Sequence, residues 1–339
     1  MRTRGIVFPA IRRAEWETIE LPDPGELAPT QVLLRARCTL ISAGTEIAIY
    51  SGQHIGYTIP GATYPRLPFR PGYSFAGTVE AVGSAVTDFR PGDRVCSGSR
   101  HAAFAVVDTA RSALIRIPDE VGFEAAALSR LATISLHGVR LARLSLGERV
   151  AVFGQGLIGQ FARQLCELDG AALTIAIDQI DSRLEVARRL GATYTLNPQR
   201  DDVPARVREL TGGSGVEVAI EATGNPTVIP TALAVTATLG RVVLLGSPRG
   251  RVEIDPYTDV HRKGLALIGA HASLAPQRPN AWNPWTAEAN NILVLELMRQ
   301  GRMCTEGLVS HRIPADEAPN IFEELTVRPQ DFLGVIIEW

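Results

Sequence analysis

The sequence carries no excess of either charge, few cysteines and no long hydrophobic run. Its 34 Lys and Arg residues face 36 Asp and Glu, a formal net charge of −2 over 339 residues. That balance leaves no basic footprint for a nucleic-acid backbone or an anionic membrane. Cys38, Cys96, Cys166 and Cys304 are scattered, with no Cys-x-x-Cys pair and no histidine at metal-ligand spacing. The pattern argues against a disulfide framework or a cysteine-rich metal centre, and the four read as reduced structural thiols. The stretch Met1 to Pro9 is followed by Arg12, Arg13 and Glu15, with no apolar core of signal-peptide length and no run of membrane-spanning length. These absences predict a cytoplasmic protein. No internal repeat or low-complexity segment is present, and the length predicts about two domains.

What is present is a dinucleotide-binding fingerprint. Val150 to Phe153 is an apolar run ending in Gly154-Gln155-Gly156-Leu157-Ile158-Gly159, which leads into Gln160 to Leu165. Strand, tight turn and helix is the context in which Gly-x-Gly-x-x-Gly binds a pyrophosphate. The first glycine makes the turn, the second admits the phosphates, and the third lets helix pack on strand. Leu173 to Ile177 reads as a second strand ending in Asp178. A carboxylate there accepts hydrogen bonds from ribose hydroxyls and repels a 2′-phosphate, which predicts NAD in preference to NADP. Val216 to Gly224 and Gly240 to Gly246 add two more apolar runs ending in small residues. Strands alternating with helical stretches indicate a parallel, doubly wound sheet.

The first 120 residues follow another habit. Gln31 to Leu40, Phe75 to Gly83 and Ala103 to Val107 alternate like half-buried strands, punctuated by Pro60, Gly61, Pro65, Pro68, Pro71, Gly72, Pro91 and Gly92. Short strands with dense turn signals predict a compact β-barrel-like domain. Phe123 to Arg143 and Ala289 to Gln300 read as helices, and Phe332 to Ile337 as a final strand.

These pieces in this order resemble the medium-chain dehydrogenase/reductase superfamily, in the zinc alcohol, sorbitol and threonine dehydrogenase lineage. The resemblance rests on Gly72 to Gly83, on Phe89-Arg90-Pro91-Gly92-Asp93-Arg94-Val95, on the glycine fingerprint and on Glu221-Ala222-Thr223-Gly224. It implies an α/β protein with two domains. A GroES-like β-barrel-type catalytic domain would occupy residues 1–130 and be completed by 273–339; a Rossmann domain would occupy 131–272. It places the coenzyme against Gly154, Gly156, Leu157, Ile158, Gly159, Asp178, Arg183, Ala222, Thr223 and Gly246, with the nicotinamide in the cleft between the domains. It also implies a homodimer or homotetramer, paired across the strand Gly264 to Gly269.

The sequence departs from that family at the metal. Zinc members read Cys-Gly-Thr/Ser-Asp where this chain has Ala43-Gly44-Thr45-Glu46, and Gly-His-Glu where it has Gly72-Tyr73-Ser74. The third ligand position falls on Ser129, and the four-cysteine structural lobe is missing. Alanine cannot ligate zinc, and Tyr and Ser are poor replacements for His and thiolate. A zinc-free member is expected, and its reacting oxygen then needs other partners.

Thr45 retains the hydroxyl that contacts the substrate oxygen in zinc members. Tyr73 brings a phenol to the lost histidine's place, either as a proton carrier or as a filler of the vacated pocket. Glu46 reads as a base or an orienting group. His271, closing the last strand of the nucleotide unit, and His54, after the substrate motif, are further candidates. His101, His137, His261 and His311 read as surface, helix or turn residues. The loop Pro276 to Thr286, with Trp282 and Trp285, reads as a cover over a sugar-like or cyclitol-like substrate, or as an ordinary lid or subunit contact.

The expected activity is NAD-dependent oxidation of a secondary hydroxyl on a polyol, sugar or cyclitol-like substrate, or the reverse. Alternatives are a zinc-free enone or quinone reductase, an enzyme like the bacteriochlorophyllide hydroxyethyl dehydrogenases (similar over Ile41 to Glu46), and a catalytically silent NAD-binding protein.

Overall fold

The computed structural model describes residues 1–276, 278–281 and 284–339. Gln277, Trp282 and Asn283, part of the expected covering loop, lie outside the described residues. The chain divides into two compact units. One comprises Met1–Arg130, Asn291–Gly301 and Thr305–Trp339; the other comprises Leu131–Asn290 and Arg302–Cys304. Residues 273–290, expected with the first domain, thus group with the second unit.

In the first unit, β1 (Arg2–Ala10) and β2 (Arg13–Glu20) form an antiparallel hairpin. Next come β3 (Gln31–Leu40), the short helix α1 (Thr45–Tyr50), β4 (Phe75–Val82), β5 (Arg94–Ser97), β6 (Phe104–Asp108) and β7 (Leu114–Arg116). Strand β3 is central: β4 and β6 both pair with it, antiparallel, and β5 continues from β4 to β7. Its residues Val32, Leu34 and Ala36 face a core shared with Phe75, Val79, Val95 and Val107. Helix α2 (Phe123–Ala142) spans the division between the units.

The second unit is a six-stranded, wholly parallel sheet. Its elements are β8 (Arg149–Phe153), α3 (Leu157–Leu168), β9 (Leu173–Ile177), α4 (Asp181–Arg189), β10 (Tyr194–Leu196), α5 (Val203–Leu210), β11 (Val216–Glu221), α6 (Ile229–Val235), β12 (Thr236–Leu244) and β13 (Ala266–Gly269). The order β10-β9-β8-β11-β12-β13 is the doubly wound arrangement. Strands β8, β9 and β11 are nearly continuous apolar runs, as strands buried on both faces must be. The order reverses between β8 and β11, where Phe153 lies opposite Glu221. A ligand crevice opens beyond the strand ends at such a switch point.

Helix α7 (Ala287–Arg299) then leads to β14 (His311–Pro314), α8 (Ala318–Val327) and β15 (Val335–Glu338). Strand β15 returns to β3, antiparallel, so the C-terminal segment completes the first unit's sheet. Among the described residues no helix is long and apolar enough to cross a membrane.

Candidate active site

In the second unit, the turn after β8 is built for a diphosphate. Gly154 has φ +86, and a Cβ there would meet the Thr223 backbone nitrogen at 3.0 Å, so the turns after β8 and β11 nearly touch. A Cβ at Gly159 would meet the Gly154 carbonyl oxygen at 1.7 Å, which enforces the close helix-to-strand contact. Gly156 differs: it caps α3, and a Cβ there would meet nothing within 4 Å. The open space lies at the helix N-terminus, where Leu157 and Ile158 begin the first turn and its N–H groups meet the positive end of the dipole. These residues fit a pyridine dinucleotide.

Asp178 sits just past β9 and is nearly buried. Its Oδ2 accepts the Gln155 N–H at 2.6 Å and its Oδ1 accepts the Ile180 N–H at 2.8 Å. The carboxylate is thereby fixed against the glycine turn, with lone pairs to spare for ribose hydroxyls. Arg183 stands near it: burial lowers the guanidinium pKa, and the charge of Asp178 opposes that shift. At the end of β11, on the other side of β8, Glu221 is fully buried and its carboxylate accepts the Thr223 and Gly224 N–H groups. Burial pushes its pKa up, against those bonds. Its own carbonyl accepts the Leu245 and Gly246 N–H groups, so Glu221 ties the Ala222-Thr223 and Gly246 turns together.

The first unit brings Ser42, Thr45, Glu46 and Tyr73 together. Thr45 and Glu46 begin α1, while Tyr73 precedes β4. Tyr73 donates to Ser42 Oγ, and Thr45 also hydrogen-bonds its phenol. Burial, reinforced by the charge of Glu46, pushes the phenol up to about 12 against those hydrogen bonds, so it keeps its proton at neutral pH. Tyr64, which sequence reasoning passed over, belongs to the same group; burial raises its pKa, with smaller contributions from Glu46 and Tyr57.

One histidine expectation needs correction, while His137 lies in a helix as expected. His101, read from the sequence as a surface or turn residue, is wholly buried and lies 2.8 Å from Glu46 through Nε2. His137 is buried in α2, where desolvation lowers its pKa. His54 and His271 are engaged in local structure. His54 Nδ1 accepts the Gly56 N–H, and its ring meets Tyr64 edge-on at 5.4 Å. His271, in the second unit, accepts the Ser273 N–H and caps a 3-10 turn.

At the three positions that match the family's zinc ligands, Ala43 offers a methyl, Tyr73 donates to Ser42, and the Ser129 hydroxyl donates to the Ala126 carbonyl at 2.7 Å. This donor set does not suit zinc. Among the described residues, no group of three or more His, Cys, Asp and Glu is placed to hold a metal ion. A cavity of about 740 Å³ elsewhere in the first unit is lined by Arg37, Cys38, Glu124, Arg312 and Trp339. The Arg312–Glu124 ion pair crosses its lining, and none of the candidate residues faces it.

Comparison with known proteins agrees with the fold. Residues 28–139 match the alcohol dehydrogenase GroES-like domain, and residues 158–288 match the zinc-binding dehydrogenase family. The chain is 30% identical over 272 residues to an L-threonine 3-dehydrogenase of Caldanaerobacter subterraneus, covering 72% of this chain and 76% of the relative. It is 29% identical over 266 residues to the sorbitol dehydrogenase of Bacillus subtilis, covering 70% and 73%. A dehydrogenase from Sinorhizobium meliloti, solved bound to NADP, shares the fold over the full length of both chains with a TM-score of 0.82 at 22% identity. The chain belongs to the medium-chain, zinc-type alcohol dehydrogenase family and is a pyridine-nucleotide-dependent dehydrogenase.

Proposed function

We propose that this protein is a zinc-independent, NAD-dependent dehydrogenase that oxidises a secondary hydroxyl of a polyol, sugar or cyclitol-like substrate, or reduces the matching ketone. The observation that carries this reading is the Ser42, Thr45, Glu46 and Tyr73 cluster, with the phenol of Tyr73 where zinc members have a histidine ligand. The class of substrate is drawn from the relatives, among them the sorbitol, threonine and (R,R)-butanediol dehydrogenases. Bound NAD supplies a hydride acceptor. Tyr73 holds a proton on its phenol oxygen and gives it to the carbonyl oxygen during reduction; in oxidation the phenolate takes the proton from the alcohol. Thr45 and Ser42 hold the phenol in place, and Glu46 disfavours its ionisation.

The preference for NAD rests on Asp178, whose charge would oppose a 2′-phosphate. A two-fold pairing through β13 is also part of the proposal: among the described residues this strand ends the sheet and pairs only with β12, and it leaves Leu267 exposed. An exposed apolar edge of this kind favours pairing with a second chain.

The reading is tested with NADH and a vicinal diketone or hydroxyketone panel, and with NAD and a polyol panel, following NADH absorbance. Turnover in at least one panel, faster with NADH than with NADPH, is expected. A protein that binds NADH and turns over neither panel would contradict it.

A further inference from the structure

We infer that His101 is a positioning residue for Tyr73, acting through Glu46; the inference rests on the reading of Tyr73 as the proton carrier. His101 and Glu46 are 0% and 1% exposed, a pair of ionisable side chains fully removed from water. Such a pair persists only when its remaining polar atoms are satisfied. Here they are. Nε2 of His101 lies 2.8 Å from Glu46 Oε2, and Nδ1 lies 2.8 Å from Thr39 Oγ1. Glu46 Oε1 accepts the Ser42 N–H at 3.2 Å.

The far end of this chain is Trp339. The Trp339 indole N–H can only donate, and it donates to Thr39 Oγ1 at 2.9 Å. The Glu46 carboxylate can only accept, so an Nε2–H of His101 is directed at it, while Nδ1 meets the Thr39 hydroxyl at 2.8 Å. Glu46 therefore has one oxygen held by His101 and the other by the Ser42 backbone. Ser42 is the same residue whose hydroxyl accepts from Tyr73. The route from His101 to the phenol passes through two residues.

The backbone of His101 holds Tyr73 from the other side. Its N–H donates to the Pro71 carbonyl at 3.0 Å. Gly72, with φ +107, lies so close that a Cβ there would meet the His101 nitrogen at 2.3 Å. The segment that carries Tyr73 is thus laid against His101, while the His101 ring secures the carboxylate on α1. The family's histidine is absent at position 73, and a histidine from the β5–β6 connection holds Glu46 instead. This pair is independent of any metal ligand.

The test uses the full-length protein labelled with 3-fluorotyrosine. There are six tyrosines, and Tyr73→Phe assigns the Tyr73 fluorine signal. His101→Leu removes both ring hydrogen bonds, whereas His101→Gln keeps an N–H where Nε2 stood. We expect the Tyr73 signal to move and broaden in His101→Leu and to return close to its original position in His101→Gln. With a ketone that the unmodified protein reduces, His101→Leu should lower kcat on the order of 100-fold, as misplacement of a reacting group does, and leave NADH affinity unchanged. Combined with Tyr73→Phe, it should cost little more, because both changes remove the same contribution. A Tyr73 signal unchanged in His101→Leu, or losses that multiply in the double variant, would overturn the inference. Should His101→Leu fail to fold, Glu46→Gln takes its place, and an unmoved Tyr73 signal there would overturn it equally. Absence of turnover in the unmodified protein refutes the reading of Tyr73 as proton carrier, while the fluorine signal still decides the role of His101.

Discussion

Replacing Asp178 by asparagine separates its two tasks. The carboxylate accepts two backbone N–H groups, from Gln155 at 2.6 Å and Ile180 at 2.8 Å, and presents its charge to the adenosine ribose. Asparagine retains one carbonyl oxygen and can keep one of those bonds, so the fold should lose about 1–3 kcal/mol. The electrostatic consequence is different in kind. At roughly 5 Å and an effective dielectric constant of about 20, one unit charge repels another by about 3 kcal/mol. The Arg183 guanidinium offsets part of that repulsion. A net preference of about 1–3 kcal/mol remains, on the order of 10–100-fold in favour of NADH over NADPH. Titrating both reduced coenzymes by fluorescence needs no substrate and gives the ratio directly. Asp178→Asn should bring the two dissociation constants together, mainly by tightening NADPH. Equal affinity for both coenzymes in the unmodified protein, or an unchanged ratio in the variant, would refute the reasoning.

Tyr73→Phe keeps the ring and removes the hydroxyl, so turnover should fall roughly 100- to 1000-fold with NADH affinity intact; unchanged turnover would reduce Tyr73 to a filler. The raised phenol pKa of about 12 gives the two directions different pH profiles. Ketone reduction uses the protonated phenol and should be flat between roughly pH 7 and 10, whereas alcohol oxidation needs the phenolate and should rise close to tenfold per unit over that range. Oxidation rates flat over the same range would exclude Tyr73 as the base. In the glycine turn, Gly156→Ala should abolish coenzyme binding and leave thermal stability nearly unchanged, because its Cβ enters open space. Gly159→Ala should destabilise the fold itself, because its Cβ would overlap the Gly154 carbonyl. Equal melting temperatures for these two variants would contradict that contrast.

The nucleotide unit was legible because most of its strands are apolar runs terminated by a glycine or an acid; β10, short and followed by Asn197, carries no such signal and was not read. Leu173–Ile177 has in the structure the bounds that the sequence implied. The N-terminal hairpin was not read: Arg2, Arg4, Glu15, Glu17 and Glu20 break up its apolar alternation, and their partners, Glu20 across the hairpin for Arg2, Asp316 for Arg4 and Arg70 for Glu17, are distant in sequence. His101 was missed for a related reason. Its neighbours Gly98, Ser99 and Arg100 have the composition of an exposed turn, and its burial comes from Glu46, Thr39 and Phe322, all distant in sequence. His271 and His54 were read as available from a strand end and a loop, and the structure adds that each Nδ1 accepts a neighbouring backbone N–H. Thr45, Glu46 and Tyr73 were singled out through their motifs, and the structure adds Ser42, whose hydroxyl accepts from Tyr73 and whose backbone N–H donates to Glu46.

The account turns on whether a phenol stands in for a metal, and metal content measured alongside activity addresses this most directly. After exhaustive dialysis against a chelator, the protein should hold far less than one zinc per chain and keep its full rate of ketone reduction. About one tightly held zinc per chain, with activity lost on chelation and restored by zinc alone, would contradict it.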